Sequence, residues 1–457
     1  MSLHTETIVA LSTAAGVGAI AVIRLTGKES VNIVNTVFKG KDLTTVASHT
    51  VHFGTIRNEK GAIIDEVVVA VFLAPHSFTS ENVIEISCHG SPYIVKEILK
   101  LLVAKGARPA KAGEFTQRAF MNGRFDLAQA EAVADLIAAE TEMAHAAALN
   151  QMRGGFSVQI KALREELIAF ASLIELELDF GEEDVEFANR DHLRALVEKL
   201  LSVLKALISS FDLGNVIKKG VPTVIAGKPN AGKSTLLNAL LNEDRAMVSS
   251  IAGTTRDVIE DEINIEGISF RFIDTAGLRE TADELEAMGI ERTRQKMKEA
   301  SLILYLFDIK DVGSEEFSVQ SLELLELGIP VIFVANKIDT IDTKTLSAVQ
   351  ESNSEIIPIS AAQKTGIDTL KATLIKKINA GEISSESNIV TNIRHYDALL
   401  QTKTSLDNVI NGLDTFISGD FLAMDIRQAL YYLGEITGEI TTEDLLDNIF
   451  SKFCIGK

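Results

Sequence analysis

A chain of 457 residues is too long for one hydrophobic core, and two to four domains are expected. Its 46% hydrophobic and 24% charged residues are those of an ordinary globular protein. The net charge of −20 is the wrong sign for gripping nucleic acid over the whole surface, so a nucleic-acid substrate would need a local basic patch or a basic partner. Two cysteines, Cys88 and Cys454, do not suggest a disulfide framework. No stretch reads as long and apolar enough to span a bilayer, and the first residues lack the regions of a signal peptide, so the expected location is the cytoplasm.

Residues 1–118 are strand-rich. Short β-type runs at 19–24, 50–56, 67–72 and 83–86 are bounded by turn residues, and 94–104 reads as an amphipathic helix, giving an α+β domain. From Asp126 the texture turns helical. Leu127, Ala130, Ala134 and Ile137 recur at helical spacing, as do Leu163, Leu167, Phe170 and Ile174, and proline is absent between Pro109 and Pro222. Helical pattern returns in 396–409 and 425–433, and Thr441-Thr-Glu-Asp444 offers a capping box before Leu445. Between these stretches, strands alternate with helices, which signals a parallel α/β sheet. The expected organisation is an α+β domain over 1–118, a first helical segment over 119–215, an inserted α/β domain over 216–379 and a second helical segment over 380–457.

The inserted domain opens with a strand, then Gly227-Lys-Pro-Asn-Ala-Gly-Lys-Ser234, then a helix, the spacing of a phosphate-binding loop. Glycines let backbone N–H groups close around phosphates at a helix N-terminus, where the dipole favours anions. Asn230, Ala231, Gly232, Lys233, Ser234 and Thr235 are the expected phosphate contacts, with Lys233 reaching the β/γ-phosphates and Ser234 a ligand of Mg²⁺. Gly253-Thr-Thr-Arg-Asp257, with Thr254 and Thr255, supplies a switch threonine for Mg²⁺ and the γ-phosphate. Asp274-Thr-Ala-Gly277 (Asp274, Thr275, Ala276, Gly277) closes a strand facing the γ-phosphate. Asn336, Lys337 and Asp339 carry the guanine signature: the Asp339 carboxylate accepts from guanine's N1–H and N2–H₂, which adenine does not offer. Ser360, Ala361 and Ala362 fit the loop that closes over the base. A guanine-nucleotide site follows, with GTP as ligand. Leu278 stands where Ras-like GTPases place the glutamine that orients water, so another group must do that work.

Taken with Gly113-Glu-Phe-Thr-Gln-Arg-Ala-Phe120, Leu127-Ala-Gln-Ala-Glu-Ala132 and the terminal Cys454-Ile-Gly-Lys457, these motifs resemble, end to end, the MnmE (TrmE) family of tRNA-modification GTPases. The resemblance implies a folate-binding-like, dimerising N-terminal domain and a helical domain made from two chain segments around a Ras-like P-loop GTPase domain. It implies a homodimer that joins the FAD protein MnmG (GidA) in a heterotetrameric complex. Together they would add a carboxymethylaminomethyl-type group at position 5 of the wobble uridine of certain tRNAs, using a 5-formyl or methylene tetrahydrofolate. By the same resemblance Glu286 replaces the missing glutamine, and K⁺ replaces an arginine finger, held by Asn230, Ser249, Ile251 and Thr254, with Thr255 left for Mg²⁺. Folate contacts carry over onto Arg24, Glu81, Arg124 and Lys457, and modification chemistry is placed near Cys454. Two other readings compete. A ribosome-assembly GTPase switch would carry a basic RNA-binding appendage, and none is evident in the sequence. A folate-dependent aminomethyltransferase with a regulatory G domain would turn over without MnmG.

Overall fold

The computed structural model describes residues 6–179, 190–243, 261–273, 297, 299–352, 355–378 and 389–456. The chain divides into two compact units, one made of Met1–Ala138, Ala148–Lys205 and Asp397–Lys457, the other of Ala139–Ala147 and Ala206–Tyr396.

The first unit begins with a seven-stranded sheet. Its strands are β1 (Ile8–Leu11), β2 (Ile20–Thr26), β3 (Phe38–Lys39), β4 (Thr50–Arg57), β5 (Ile63–Phe72), β6 (Val83–His89) and β7 (Arg108–Pro109), in the order β3-β4-β5-β6-β2-β1-β7. Alternation decides which face is covered. Ala21, Ile23 and Leu25 of β2, Ile84, Ile86 and Cys88 of β6 and Val67, Val69 and Val71 of β5 form one core with α1 (Ser30–Val37) and α2 (Pro92–Ala104). The intervening residues, among them Arg24 and Glu85, face the other way. β1 and α1 went unread in the sequence because each is short.

Helices α3 (Glu114–Met121), α4 (Leu127–Ala138), α5 (Glu142–Met152), α6 (Gly155–Asp179), α7 (Arg190–Ser209) and α8 (Phe211–Lys219) follow the sheet in the chain. The expected stripe Leu163, Leu167, Phe170 and Ile174 is buried, whereas Ile137 is exposed. Helices from the end of the chain return to these: Gly419–Thr437 packs on α6 and on α4, and Glu443–Phe450 packs on α3. Leu127 and Ala130 share a cluster with Leu446, Ile449, Phe450 and Phe453, so both helical stretches enter one core. The last helix is capped by Thr442, whose side chain accepts from Leu445 N, one residue later than the capping box placed it. Among the described residues one stretch, Arg190–Lys219, is long and apolar enough to cross a membrane by length and composition, with mean hydropathy 1.5 in an 18-residue window, where none was expected. Its Leu193, Val197, Leu200 and Leu204 recur at helical spacing and are buried, the apolar stripe of an amphipathic helix.

The second unit holds a six-stranded sheet of β8 (Val221–Ala226), β9 (Asp261–Ile265), β10 (Ile268–Phe272), β11 (Leu302–Asp308), β12 (Val331–Asn336) and β13 (Ile356–Pro358). Its order is β13-β12-β11-β8-β10-β9. All pairings are parallel except that of β9 with β10. Leu302, Leu304 and Leu306 enter one apolar cluster and Ile303, Tyr305 and Phe307 another, so β11 is covered on both faces, as a central parallel strand must be.

Gly113 joins the sheet of the first unit to its helices. It precedes α3 with φ of 66°, and a Cβ there would lie 2.5 Å from Phe450 O. Gly113→Ala should therefore cost at least the ~1–2 kcal/mol of a left-handed alanine, or roughly 2–8 °C in the calorimetric midpoint of that unit. An unchanged midpoint would mean that Glu443–Phe450 shifts without penalty.

Candidate functional sites

In the second unit, β8, β11 and β12 are parallel neighbours, so the loops that follow them emerge at one end of the sheet. The loop after β8 runs into α9 (Lys233–Glu243). Asn230 adopts φ of 63°, a conformation asparagine tolerates better than most residues. The Lys233 Nζ donates to Gly227 O at 2.7 Å and Lys228 O at 2.9 Å, so the loop curls around its own ammonium. Burial lowers the Lys233 pKa below the ordinary lysine value, as expected of a desolvated cation beside carbonyls. Ser234 and Thr235 occupy the first turn of α9, where the helix dipole favours an anion.

β12 ends at Asn336, which is 3% exposed. Its Nδ2 donates to Ala231 O at 2.8 Å and its Oδ1 accepts from Ala361 N at 3.0 Å, tying the phosphate loop to the loop after β13. The close approach needs Gly232, where a Cβ would lie 2.3 Å from Asn336 Nδ2. Lys337 turns the chain with φ of 67° and pairs with Asp308 at the end of β11 at 3.1 Å. Asp339 accepts from Ser360 Oγ at 2.6 Å, and Ser360 is itself held by paired backbone bonds with Thr365. Ala361 is buried and Ala362 lies beside it on the exposed side. The sequence motifs did not mark Lys228, which pairs with Glu316 at 2.7 Å, or Asp308, since neither belongs to a recurrent signature. Ser249, Ser250, Ile251, Ala252, Gly253, Thr254, Thr255, Asp274, Thr275, Ala276, Gly277 and Glu286 lie outside the described residues. The donors that are described, the Ser234 hydroxyl and the Asn230 amide, are hard oxygen groups that suit Mg²⁺ or an alkali cation. Among the described residues no cluster of three His, Cys, Asp or Glu could hold a metal ion.

In the first unit, the charged residues marked by sequence gather where the β5–β6 loop, α3 and the chain end meet. Arg24 pairs with Glu85, its register partner on β6, at 2.7 Å, and its Nη1 donates to Gly456 O at 3.4 Å. Its guanidinium lies 5.4 Å from the centre of the Phe78 ring, Phe78 meets Phe125 edge-on at 5.9 Å, and Arg124 lies 5.8 Å from the centre of Phe125. Glu81, on the same loop as Phe78, accepts from Thr26 Oγ1 at 2.8 Å and pairs with Arg118 at 3.3 Å. Arg24, Glu81 and Arg124 thus belong to one connected cluster, while Lys457 lies outside the described residues. Cys454 is exposed, and its carbonyl accepts from Gly113 N at 3.4 Å. Ile455 bridges Ala112, and Ser12 Oγ donates to Gly456 O at 3.2 Å, so the chain end is fastened to the sheet beside Arg24. Glu85 was missed because only strand register brings it to Arg24.

A glycine loop between a buried parallel strand and a helix, linked through Asn336 to the loop that follows β13, defines a P-loop GTPase. Residues 7–124 match the family model described as GTP-binding protein TrmE N-terminus, and residues 127–454 match the MnmE helical domain. The chain is 59% identical to the tRNA modification GTPase MnmE of Cytophaga hutchinsonii over 454 residues, 99% of this chain and 98% of that protein. It is 52% identical to that of Flavobacterium johnsoniae over 466 residues and 48% to that of Bacteroides thetaiotaomicron over 472, all of both chains being covered in each case. The chain belongs to the MnmE (TrmE) family of tRNA modification GTPases, and it is a GTP hydrolase acting in tRNA modification.

Asn336→Ala would leave the Ala231 carbonyl and the Ala361 N–H unpaired. Each buried orphan costs about 1–3 kcal/mol, so the GDP dissociation constant should rise roughly 10- to 100-fold in calorimetric titration. Unchanged affinity would show that the two loops hold their places without the asparagine.

Proposed function

We propose that the chain is a K⁺-stimulated GTPase that works with an FAD-dependent MnmG partner. Together they install a carboxymethylaminomethyl-type group at position 5 of the wobble uridine of certain tRNAs in the cytoplasm, with a tetrahydrofolate supplying the one-carbon unit. The observation that carries this reading is the coexistence of two sites in a chain that matches its relatives from end to end. One site links a phosphate loop to a guanine-type loop through Asn336; the other gathers Arg24, Glu81 and Arg124 around two aromatic rings.

In the nucleotide site, the backbone around Asn230–Ser234 and the Lys233 ammonium receive the phosphates, and Asp339 accepts from the guanine edge. Ser234 and Thr255 hold Mg²⁺; Asn230, Ser249, Ile251 and Thr254 hold K⁺. A cation there neutralises charge that develops on the phosphoryl oxygens, the service an arginine finger performs elsewhere. Glu286 orients and deprotonates water in place of the glutamine for which Leu278 stands. In the other site, Glu81 faces the hydrogen-bond donors of the reduced pterin. Arg24, Arg124 and Lys457 face its acceptors and the glutamate tail, and Cys454 lies at the edge where modification chemistry occurs.

A homodimer through the N-terminal domain is supported by apolar residues exposed on the face of its sheet opposite α1 and α2. Val51, Phe53, Val68 and Ile20 are 65%, 68%, 38% and 66% exposed there, and Phe53 and Val68 are register partners. The net charge of −20 leaves much of the grip on tRNA to a basic partner.

Two measurements test the reading. GTP hydrolysis should be much faster in KCl than in NaCl at equal ionic strength, and Glu286→Ala should lose about 10²- to 10⁴-fold in turnover with unchanged GDP affinity, the range for a positioned acid–base group. Equal rates in both salts would remove K⁺ from the mechanism. Modification of tRNA should require this chain and MnmG together; turnover by this chain alone would favour a self-sufficient aminomethyltransferase with a regulatory G domain.

A further inference from the structure

We propose that Arg118 is a positioning residue of the Glu81 site: it fixes the Glu81 carboxylate so that one oxygen, Oε1, is presented to the N–H donors of the ligand. The inference rests on the folate reading above and adds a residue that reading does not use.

Arg118 lies on α3, 2% exposed, with its guanidinium spread between two carboxylates. Nη1 donates to Glu81 Oε2 at 3.3 Å and Nη2 to Glu114 Oε1 at 3.1 Å. Glu114 is anchored in turn by Lys111 N at 2.9 Å and by both Nη atoms of Arg108. Burial pushes the Glu114 carboxyl up, but the bonds from Arg108 and Lys111 N and the charges of Arg108 and Arg118 outweigh it and hold the pKa below the ordinary value. Glu114 is therefore a fixed anion from which Arg118 is aimed.

A closed hydrogen-bond circuit holds the other side of Glu81. Its backbone N–H donates to Thr79 Oγ1 at 3.3 Å, and the two threonine hydroxyls Thr79 and Thr26 lie 2.6 Å apart. Thr26 Oγ1 then donates to Glu81 Oε2 at 2.8 Å. Since Thr26 spends its proton on Glu81, Thr79 must donate to Thr26, and every proton in the circuit has one direction. Both threonines are 0% exposed, and Asn122 Nδ2 anchors the same loop through Thr79 O at 2.7 Å. Oε2 is thus engaged by Thr26 and Arg118, whereas Oε1 has no partner among the described residues. An oriented acceptor with one free oxygen suits a donor-bearing edge, such as the 2-amino-4-oxopyrimidine ring of a reduced folate.

Neutralising charge does not by itself explain Arg118. The Arg118 Nε is buried without a hydrogen bond among the described residues, a cost that neutralisation alone would not require. A lysine would match the charge, yet it lacks the planar fork that meets Glu81 and Glu114 together.

The test is calorimetric titration of the full chain with 5-formyltetrahydrofolate and with an analogue carrying methyl in place of the 2-amino group. Arg118→Lys should weaken binding of the amino compound about 10- to 100-fold, the value of one charge-assisted hydrogen bond, and should abolish the preference over the methyl analogue. GDP affinity should stay unchanged. Glu81→Gln should do the same, and adding Arg118→Lys to it should bring no further loss. If Arg118→Lys fails to fold, the charge-balanced pair Arg118→Met with Glu114→Gln is read in the same way. Wild-type binding and preference in the Arg118 variants, beside a weakened Glu81→Gln, would overturn the positioning role alone. Losses from Glu81→Gln and Arg118→Lys that add would do so too. Unchanged binding in Glu81→Gln would remove Glu81 from the site and overturn this inference, whereas no binding of 5-formyltetrahydrofolate by the wild-type chain would overturn the folate reading itself.

Discussion

Lys233 and Arg118 are both cations withdrawn from water, and the two sites differ in how they meet that constraint. A buried charge must find a counter-charge or dense hydrogen bonding, because desolvation otherwise outweighs what packing returns. Arg118 finds two carboxylates, each held by further donors, and the result is a lattice of fixed charges that orients Glu81. Among the described residues Lys233 finds the carbonyls of its own loop, and burial depresses its pKa. One arrangement has its counter-charges in place and directs a neighbour; the other is an electrostatic deficit that suits a polyanion.

Much of this was legible from the chain. The glycine spacing of 227–234 and the Asn336–Asp339 signature marked two loops that the structure joins through Asn336, because a phosphate-type loop demands particular residues at fixed intervals. The strands of the first sheet's centre and the stripe of α6 were found by their periods, whereas α7 and β11 were not read individually. Ile137 shows the limit of that method: it sits at helical spacing yet is exposed, because the edge of an apolar stripe depends on what lies opposite.

Partners distant in sequence were not legible. Glu85 meets Arg24 only through the register of β2 with β6, and Asn336 meets Ala231 only because β8 and β12 flank β11. The directed circuit of Thr26, Thr79 and Glu81 is built from side chains that separately look like ordinary loop residues. Residues that do chemistry by themselves announce their type, and residues that aim others are recognised from geometry.

The path of the chain through the two units bears on how the protein is made. Apart from the short piece Ala139–Ala147, the second unit is continuous and is in hand once residue 396 has been synthesised. The first unit needs the final stretch, since Glu443–Phe450 packs on α3 and Ile455 bridges Ala112. At ribosomal rates those last residues arrive about 3–12 s later. During that interval the second unit is complete in sequence, while the N-terminal sheet and α3 still lack their contacts with Glu443–Phe450 and Ile455.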